Sequence, residues 1–186
     1  MKQTIGIFSA SKTPDNIEEI KKELLEIANK ININNYNIVY GGGNIGLMGI
    51  IPIQFCKNGG DVTGFDIQMF VTNDANGEII KYGKQVICKT FDERQEQIII
   101  NSDIILVLPG GLGTVYELLQ VLVYNDLKLW QNNKKRKVIL FNHDDYFKHV
   151  MDFIHHGIDK KLIKESTLDN LVLCDNPDQV IQALVR

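Results

Sequence analysis

Short apolar runs alternate with segments of helical period along the whole chain, and this alternation restricts the fold more than any other feature. TIGIF, NIVY, VTGF, QVIC, DIILVL, KVILF and LVLC are the runs, rich in Ile, Val and Leu. Helical segments separate all of them except VTGF and QVIC, and another follows LVLC. The runs are nearly continuous rather than apolar at every second residue, which predicts strands covered on both faces by crossover helices. The expected fold class is α/β, a mostly parallel central sheet flanked by helices. A chain of 186 residues with 44% hydrophobic content can bury one substantial core, so a single domain over residues 1–186 is expected.

Two helix starts carry signals. Thr13 can cap the first helix, with Pro14 in its first turn and Ile17, Ile20, Leu24, Ile27, Ala28 and Ile31 at helical spacing. Asn176, Pro177 and Gln179 form a cap and capping-box arrangement for the last helix. The run QNNKKRK, Gln131 to Lys137, reads as a solvated loop before a strand.

The formal charge of −3, from 20 basic and 23 acidic residues spread along the chain, gives no field that would recruit nucleic acid. A small-molecule partner is expected instead. Cys56, Cys88 and Cys174 lack the spacing of a zinc or redox motif and read as reduced packing residues. No segment reaches the roughly 20 apolar residues of a membrane span, and MKQTIGIFSASK is a poor signal peptide, so a cytoplasmic protein without a membrane partner is expected.

Two glycine-rich turns follow apolar runs. In NIVYGGGNIGLMG, Gly41, Gly43 and Gly46 match the spacing G-x-G-x-x-G, with Asp66 about 20 residues on, where a dinucleotide fold places its ribose-binding acid. That fingerprint belongs to the first strand-to-helix turn, whereas this one follows the second strand. The alternatives are glycines that serve only tight turning and helix packing, or amides lining one wall of a nucleotide pocket. Pro52 lies inside the helical segment that follows and should delay or kink its start.

The second turn is LPGGLGTVYELL, Leu108 to Leu119. Pro109 ends a strand, and Gly110, Gly111 and Gly113 free the backbone to aim N–H groups into one concavity. A helix beginning near Thr114 adds its positive end, so an anion fits there. Glu117 lies about one turn deeper, where it either complements the helix dipole or acts on a neighbouring part of the ligand. In KTFDERQEQIII, Arg94 sits in the first turn of a helix, unfavourable to the dipole, and calls for a ligand or carboxylate partner. His143, His149, His155 and His156 fall outside these motifs and read as surface or packing residues.

GGGNIGLMG, DERQEQI and PGGLGTVYE together resemble the Lonely Guy family of phosphoribohydrolases, over essentially the whole chain and in the same order. The motif PGGxGTxxE is met in full by Pro109, Gly110, Gly111, Gly113, Thr114 and Glu117. The resemblance implies a Rossmann-like homodimer that hydrolyses the N-glycosidic bond of a nucleoside 5′-monophosphate, AMP or a cytokinin riboside monophosphate, to free base and ribose 5-phosphate. It implies Arg94 and Glu117 as the catalytic pair, with Gly43, Gly46, Gln95, Gly110, Gly111, Gly113 and Thr114 binding substrate, and neither metal nor cofactor. Older labels called such proteins lysine decarboxylases, but no pyridoxal-phosphate lysine motif is present.

The chain departs from the family pattern at Gln95, where the motif has lysine, at Ile98, where it has methionine, and at Tyr116, where it has glutamate. Val123 replaces a threonine found in many members, and Ala10 a glycine of the first turn. On this reading Arg94 holds Glu117 ionised, and Glu117 stabilises oxocarbenium character on the ribose or orients water. The alternative is a protein of the same fold that carries a nucleotide or phosphorylated cofactor without cleaving it.

Overall fold

The structure, a computed structural model, describes residues 2–68, 82–130 and 135–185. Every run expected to be a strand is one: β1 (Gln3–Phe8), β2 (Tyr36–Tyr40), β3 (Val62–Ile67), β4 (Lys84–Cys88), β5 (Ile104–Val107), β6 (Lys137–Phe141) and β7 (Leu171–Cys174). They form one seven-stranded sheet in the order β4-β3-β2-β1-β5-β6-β7. Each neighbouring pair is parallel, with Ile5 opposite both Ile38 of β2 and Ile104 of β5. The sheet is therefore wholly parallel.

Six described α-helices cover its two faces: α1 (Ile17–Lys30), α2 (Ile50–Lys57), α3 (Phe91–Ile100), α4 (Leu112–Leu127), α5 (Lys148–Asp159) and α6 (Pro177–Val185). Side chains alternate across β1 as strand geometry requires. Ile5 and Ile7 pack with Leu24 of α1, Phe55 of α2 and Val180 of α6. Phe8 and, from β5, Ile105 and Val107 pack on the other face with Ile98 of α3, Leu118 and Val121 of α4, and Ile154 of α5. This double burial explains why the strand runs are continuous rather than alternating, and it gives the three layers of an α/β fold.

Local starts differ from expectation in places. α1 begins at Ile17 and no side chain caps it; the Asn16 carbonyl accepts the first helical N–H bonds, from Glu19 and Ile20. Thr13 and Pro14 lie ahead of the helix, and Glu18 and Glu19 supply the negative charge that its dipole favours. α6 has its expected cap: Asn176 Oδ1 accepts from Gln179 N at 3.0 Å, while Gln179 Oε1 accepts from Asp175 N at 2.7 Å. Pro52 is the third residue of α2, within the first turn, where its missing N–H removes no helical bond.

Of QNNKKRK, residues 131–134 lie outside the described residues, and the rest is not a solvated loop. Arg136 is buried with its guanidinium 4.5 Å from the Trp130 ring centroid, and Lys137 opens β6. Asn125 Oδ1 accepts from Arg136 N and Trp130 Nε1, and Asn125 Nδ2 donates to the Arg136 carbonyl. A basic run in sequence thus hides an arginine whose charge is covered by an aromatic face. Cys88 and Cys174 are buried and Cys56 is half-buried, all three as free thiols.

Candidate active site

Strand order places the site. From the central β1 the chain moves outward through β2, β3 and β4, returns as β5 on the other side of β1, and continues outward to β6 and β7. The connections after β1 and β5 leave in opposite directions, and an open α/β sheet binds ligands in the crevice between them. PGGLGT follows β5 at that point. It is tied to the loop after β1 by Ala10 N donating to the Pro109 carbonyl at 3.2 Å. The Gly41 to Gly46 turn follows β2 one strand away and leans on the same loop, where Leu47 N and Met48 N both donate to the Ala10 carbonyl.

The three glycines of PGGLGT have different tasks. None has a left-handed backbone. What matters is space rather than freedom to turn, contrary to the sequence expectation. A Cβ on Gly110 would overlap Thr114 Oγ1 and come within 2.9 Å of Ala10 N, whereas nothing lies within 4 Å of one on Gly111 or Gly113. α4 starts at Leu112, two residues before the expected Thr114, with Gly111 as its cap and no side-chain acceptor. The first N–H to find a helical acceptor is that of Val115, on the Gly111 carbonyl. The N–H groups of Leu112, Gly113 and Thr114 therefore precede the hydrogen-bond ladder at the positive end of a 16-residue helix, beside an open space. An anion is what such a cradle holds. Thr114 is buried beneath Gly110 rather than acting as the cap.

Glu117, on the buried face of α4, meets Arg94 from α3. Thr90 caps α3 by accepting from Glu93 N, and Arg94 follows as its fourth residue. The guanidinium is turned mainly to backbone: Nε donates to the Phe65 carbonyl at 2.9 Å and Nη2 to the Gly41 carbonyl at 2.8 Å. Nη1 stands 3.9 Å from Glu117 Oε1, an ion-pair distance rather than a hydrogen bond. Arg94 thus has the carboxylate partner its position called for, together with two carbonyls, one just past β2 and one within β3. Gly41 must be glycine because a Cβ there would overlap Arg94 Nη2.

Burial raises the Glu117 pKa from 4.5 to about 7, against the opposing pull of Arg94 and of the nearby Gln95 amide. Arg94 pulls in the direction expected of a group that holds this carboxyl ionised, but the guanidinium also serves two carbonyls and removal from water outweighs its charge. Gln95 is fully buried, and among the described residues neither its Oε1 nor its Nε2 has a partner with hydrogen-bond geometry. Its amide lies near enough to Glu117 to favour the charged carboxylate without closing a bond to it. A buried amide with both ends unpaired is costly unless a ligand completes it.

The first glycine turn serves this site unevenly. Gly42 has φ +78° and packs on Asp66, whose carboxyl pKa is raised by burial. Gly46 has φ +60°, and a side chain there would overlap the Lys12 carbonyl, so its role is to seat the turn on the loop after β1. Gly43 is partly open, with only Met48 close to its missing Cβ. Asp66 thus packs against the first glycine turn and within the electrostatic reach of Arg94. Of the histidines, His143 pairs with Glu23 of α1 at 2.6 Å, and His149 is exposed. Two residues of the crevice were not picked out from sequence. Ser9, at the end of β1, buries a hydroxyl without a partner among the described residues, and Tyr146 donates its phenol to the Gly110 carbonyl at 2.6 Å. Neither lies in a motif; position at a strand's carboxyl end was the available signal.

Comparison with known proteins points the same way. A family model described as a possible lysine decarboxylase matches residues 48–184. The chain is 31% identical over 159 residues to cytokinin riboside 5′-monophosphate phosphoribohydrolase LOG5 of Arabidopsis thaliana, covering 86% of this chain and 67% of that one. It is 29% identical over 160 residues to the probable phosphoribohydrolase LOGL2 of Oryza sativa subsp. japonica, of whose length it spans 63%. Among solved structures, the molybdenum cofactor carrier protein of Chlamydomonas reinhardtii superposes with TM-score 0.69 at 16% identity, covering 100% of this chain and 97% of that one. The molybdenum cofactor binding protein of Rippkaea orientalis does so with TM-score 0.66 at 17% identity, covering 100% and 96%. At such identities these structures share the fold alone. By its match to the family model and by its phosphoribohydrolase relatives, the chain belongs to the Lonely Guy family.

Proposed function

We propose that this protein is a phosphoribohydrolase that cleaves the N-glycosidic bond of nucleoside 5′-monophosphates, AMP or cytokinin riboside monophosphates, to free base and ribose 5-phosphate. The observation that carries the reading is a buried carboxyl, Glu117, one helical turn inside an open anion cradle and 3.9 Å from Arg94. A carboxylate so close to a bound phosphate would only weaken plain anion capture. It suits a reaction that builds positive charge on the ribose next to that phosphate.

In this reading the 5′-phosphate rests on the amides at the start of α4, with Gly111 and Gly113 leaving room for its oxygens. As the bond from C1′ to the base nitrogen breaks, its electron pair leaves with the base and Glu117 stabilises the oxocarbenium-like sugar. Water adds its oxygen to C1′, and its proton balances the charge of the departing base. Arg94 fixes Glu117 and draws the ends of β2 and β3 towards it. Gln95 offers its unpaired amide to the substrate.

The assembly proposed is a homodimer formed through α4. Leu112, Tyr116, Val123 and Leu127 form an exposed apolar stripe on the face opposite its buried one. The family resemblance implies a homodimer, and a second copy of the same face would cover this stripe, with Tyr116 between that interface and Glu117. A cytoplasmic location accords with the three free thiols. Among the described residues no helix is long and apolar enough to cross a membrane.

The test is to incubate the protein with AMP and with isopentenyladenosine monophosphate and to separate free base by chromatography. Base release supports the hydrolase. Tight nucleotide binding with no base from any monophosphate would instead establish the carrier reading, which the neutral Gln95 keeps in view.

A further inference from the structure

We propose that Tyr146 is a positioning residue for the phosphate cradle, fixing the peptide between Gly110 and Gly111 so that the Gly111 N–H faces the bound phosphate. The inference rests on the reading of PGGLGT as a phosphate seat and adds a residue from an element that carries none of the motifs.

The Tyr146 hydroxyl donates to the Gly110 carbonyl at 2.6 Å. In a trans peptide the carbonyl and the following N–H point in opposite directions. Holding the Gly110 oxygen on the Tyr146 side therefore turns the Gly111 N–H away from Tyr146, at a residue whose missing Cβ has no neighbour within 4 Å. A peptide between two glycines has more rotational freedom than any other pair would give it, so its direction needs an outside constraint. The hydrogen bond on the carbonyl also polarises the peptide and makes its N–H a better donor.

The loop that presents Tyr146 is over-determined. Asn142 Oδ1 accepts from Phe147 N at 2.9 Å, and its Nδ2 donates to Asp145 Oδ1 and to Asp175 Oδ1. Asn142 N donates to the Cys174 carbonyl at 2.7 Å, and His143 Nδ1 lies 2.6 Å from Glu23 Oε2. Asp144 and Asp145 are both left-handed, φ 52° and 54°, a conformation that a non-glycine residue keeps only when its surroundings hold it. Phe147 is fully buried, its ring edge-on to that of Tyr146 at 5.2 Å. Contacts from α1, from the end of β7 and from the core thus hold the loop that presents Tyr146 to the cradle.

Tyr146→Phe removes the hydroxyl and keeps the ring. Calorimetric titration with ribose 5-phosphate and with inorganic phosphate should show about three- to tenfold weaker binding than wild type. Adenosine, which has no phosphate, should bind both proteins equally, and the melting temperature should stay within a few degrees. In turnover the KM for a nucleoside monophosphate should rise more than kcat falls. Equal ribose 5-phosphate affinity in the two proteins overturns the proposal, and so does an equal loss for phosphate and adenosine, which would mark general loosening. A wild-type protein that binds neither phosphate ligand overturns both this inference and the phosphate seat. Tyr146-dependent phosphate binding without base release from any monophosphate would remove the hydrolase and leave this inference standing.

Discussion

A Glu117 carboxyl that titrates near neutral pH bears directly on the proposed reaction. Desolvation raises its pKa to about 7 in the folded protein from 4.5. A group raised on folding adds stability below its unfolded pKa and loses it as pH rises through the folded one. Wild type should therefore lose up to about 3 kcal/mol between pH 4.5 and pH 8 relative to Glu117→Gln, which does not titrate. Urea denaturation of both proteins at the two pH values measures this, and parallel stabilities would contradict it. If the carboxylate is the active form, kcat/KM should rise with pH up to a plateau above about 7, as an ionisation of the free enzyme. Gln95→Lys should move that limb to lower pH, because a buried ammonium beside Glu117 favours its charged form. Base release by Glu117→Gln should fall at least about a hundredfold. Arg94 and Glu117 could be singled out from their places on two helices. The protonation of Glu117 could not, because it depends on Arg94 being turned to the Gly41 and Phe65 carbonyls, 53 and 29 residues away.

At the scale of the element, the first turn of α4 shows that one motif can mix scaffold with site. Gly110 is walled in by Thr114 and Ala10, whereas Gly113 has no neighbour within 4 Å of its missing Cβ. Gly110→Ala should destabilise the fold by about 1–3 kcal/mol through overpacking. Gly113→Ala, at the second helical residue, should leave stability equal or about 0.5 kcal/mol higher, since alanine is the better helix former. It should nonetheless weaken ribose 5-phosphate binding by about tenfold, by placing a methyl group in the cradle. Thermal melts combined with calorimetry separate the two, and a Gly113→Ala protein with full affinity would remove that residue from the cradle. Sequence reading could find the turn because glycine, threonine and glutamate at these spacings have few other uses. It could not divide the glycines, because the walls around Gly110 come from Ala10 in the loop after β1 and from Thr114, one turn along the chain.

For the molecule as a whole, the fold class was readable because a parallel sheet buried on both faces leaves continuous apolar runs in the sequence. Strand order was not readable, since periodicity does not say that β5 returns beside β1. The Leu112, Tyr116, Val123 and Leu127 stripe was equally hidden, because solvent exposure on α4 depends on what packs opposite it. If the proposed homodimer forms through this stripe, wild type should have a dimer's mass in light scattering at micromolar concentration and Leu127→Glu a monomer's, through a charge buried in an apolar interface; a wild-type monomer, or a mass unchanged by the substitution, would contradict that assembly. The pairing of Ile5 with Ile104 also bears on how the protein is made. The central strand must wait for a partner 99 positions later, so the crevice closes only after more than half of the chain has left the ribosome. Until then β1 has one open edge beside β2. A nucleotide that seats in the crevice would favour the closed pairing by mass action, making substrate supply a factor in how much of the newly synthesised chain reaches the native state.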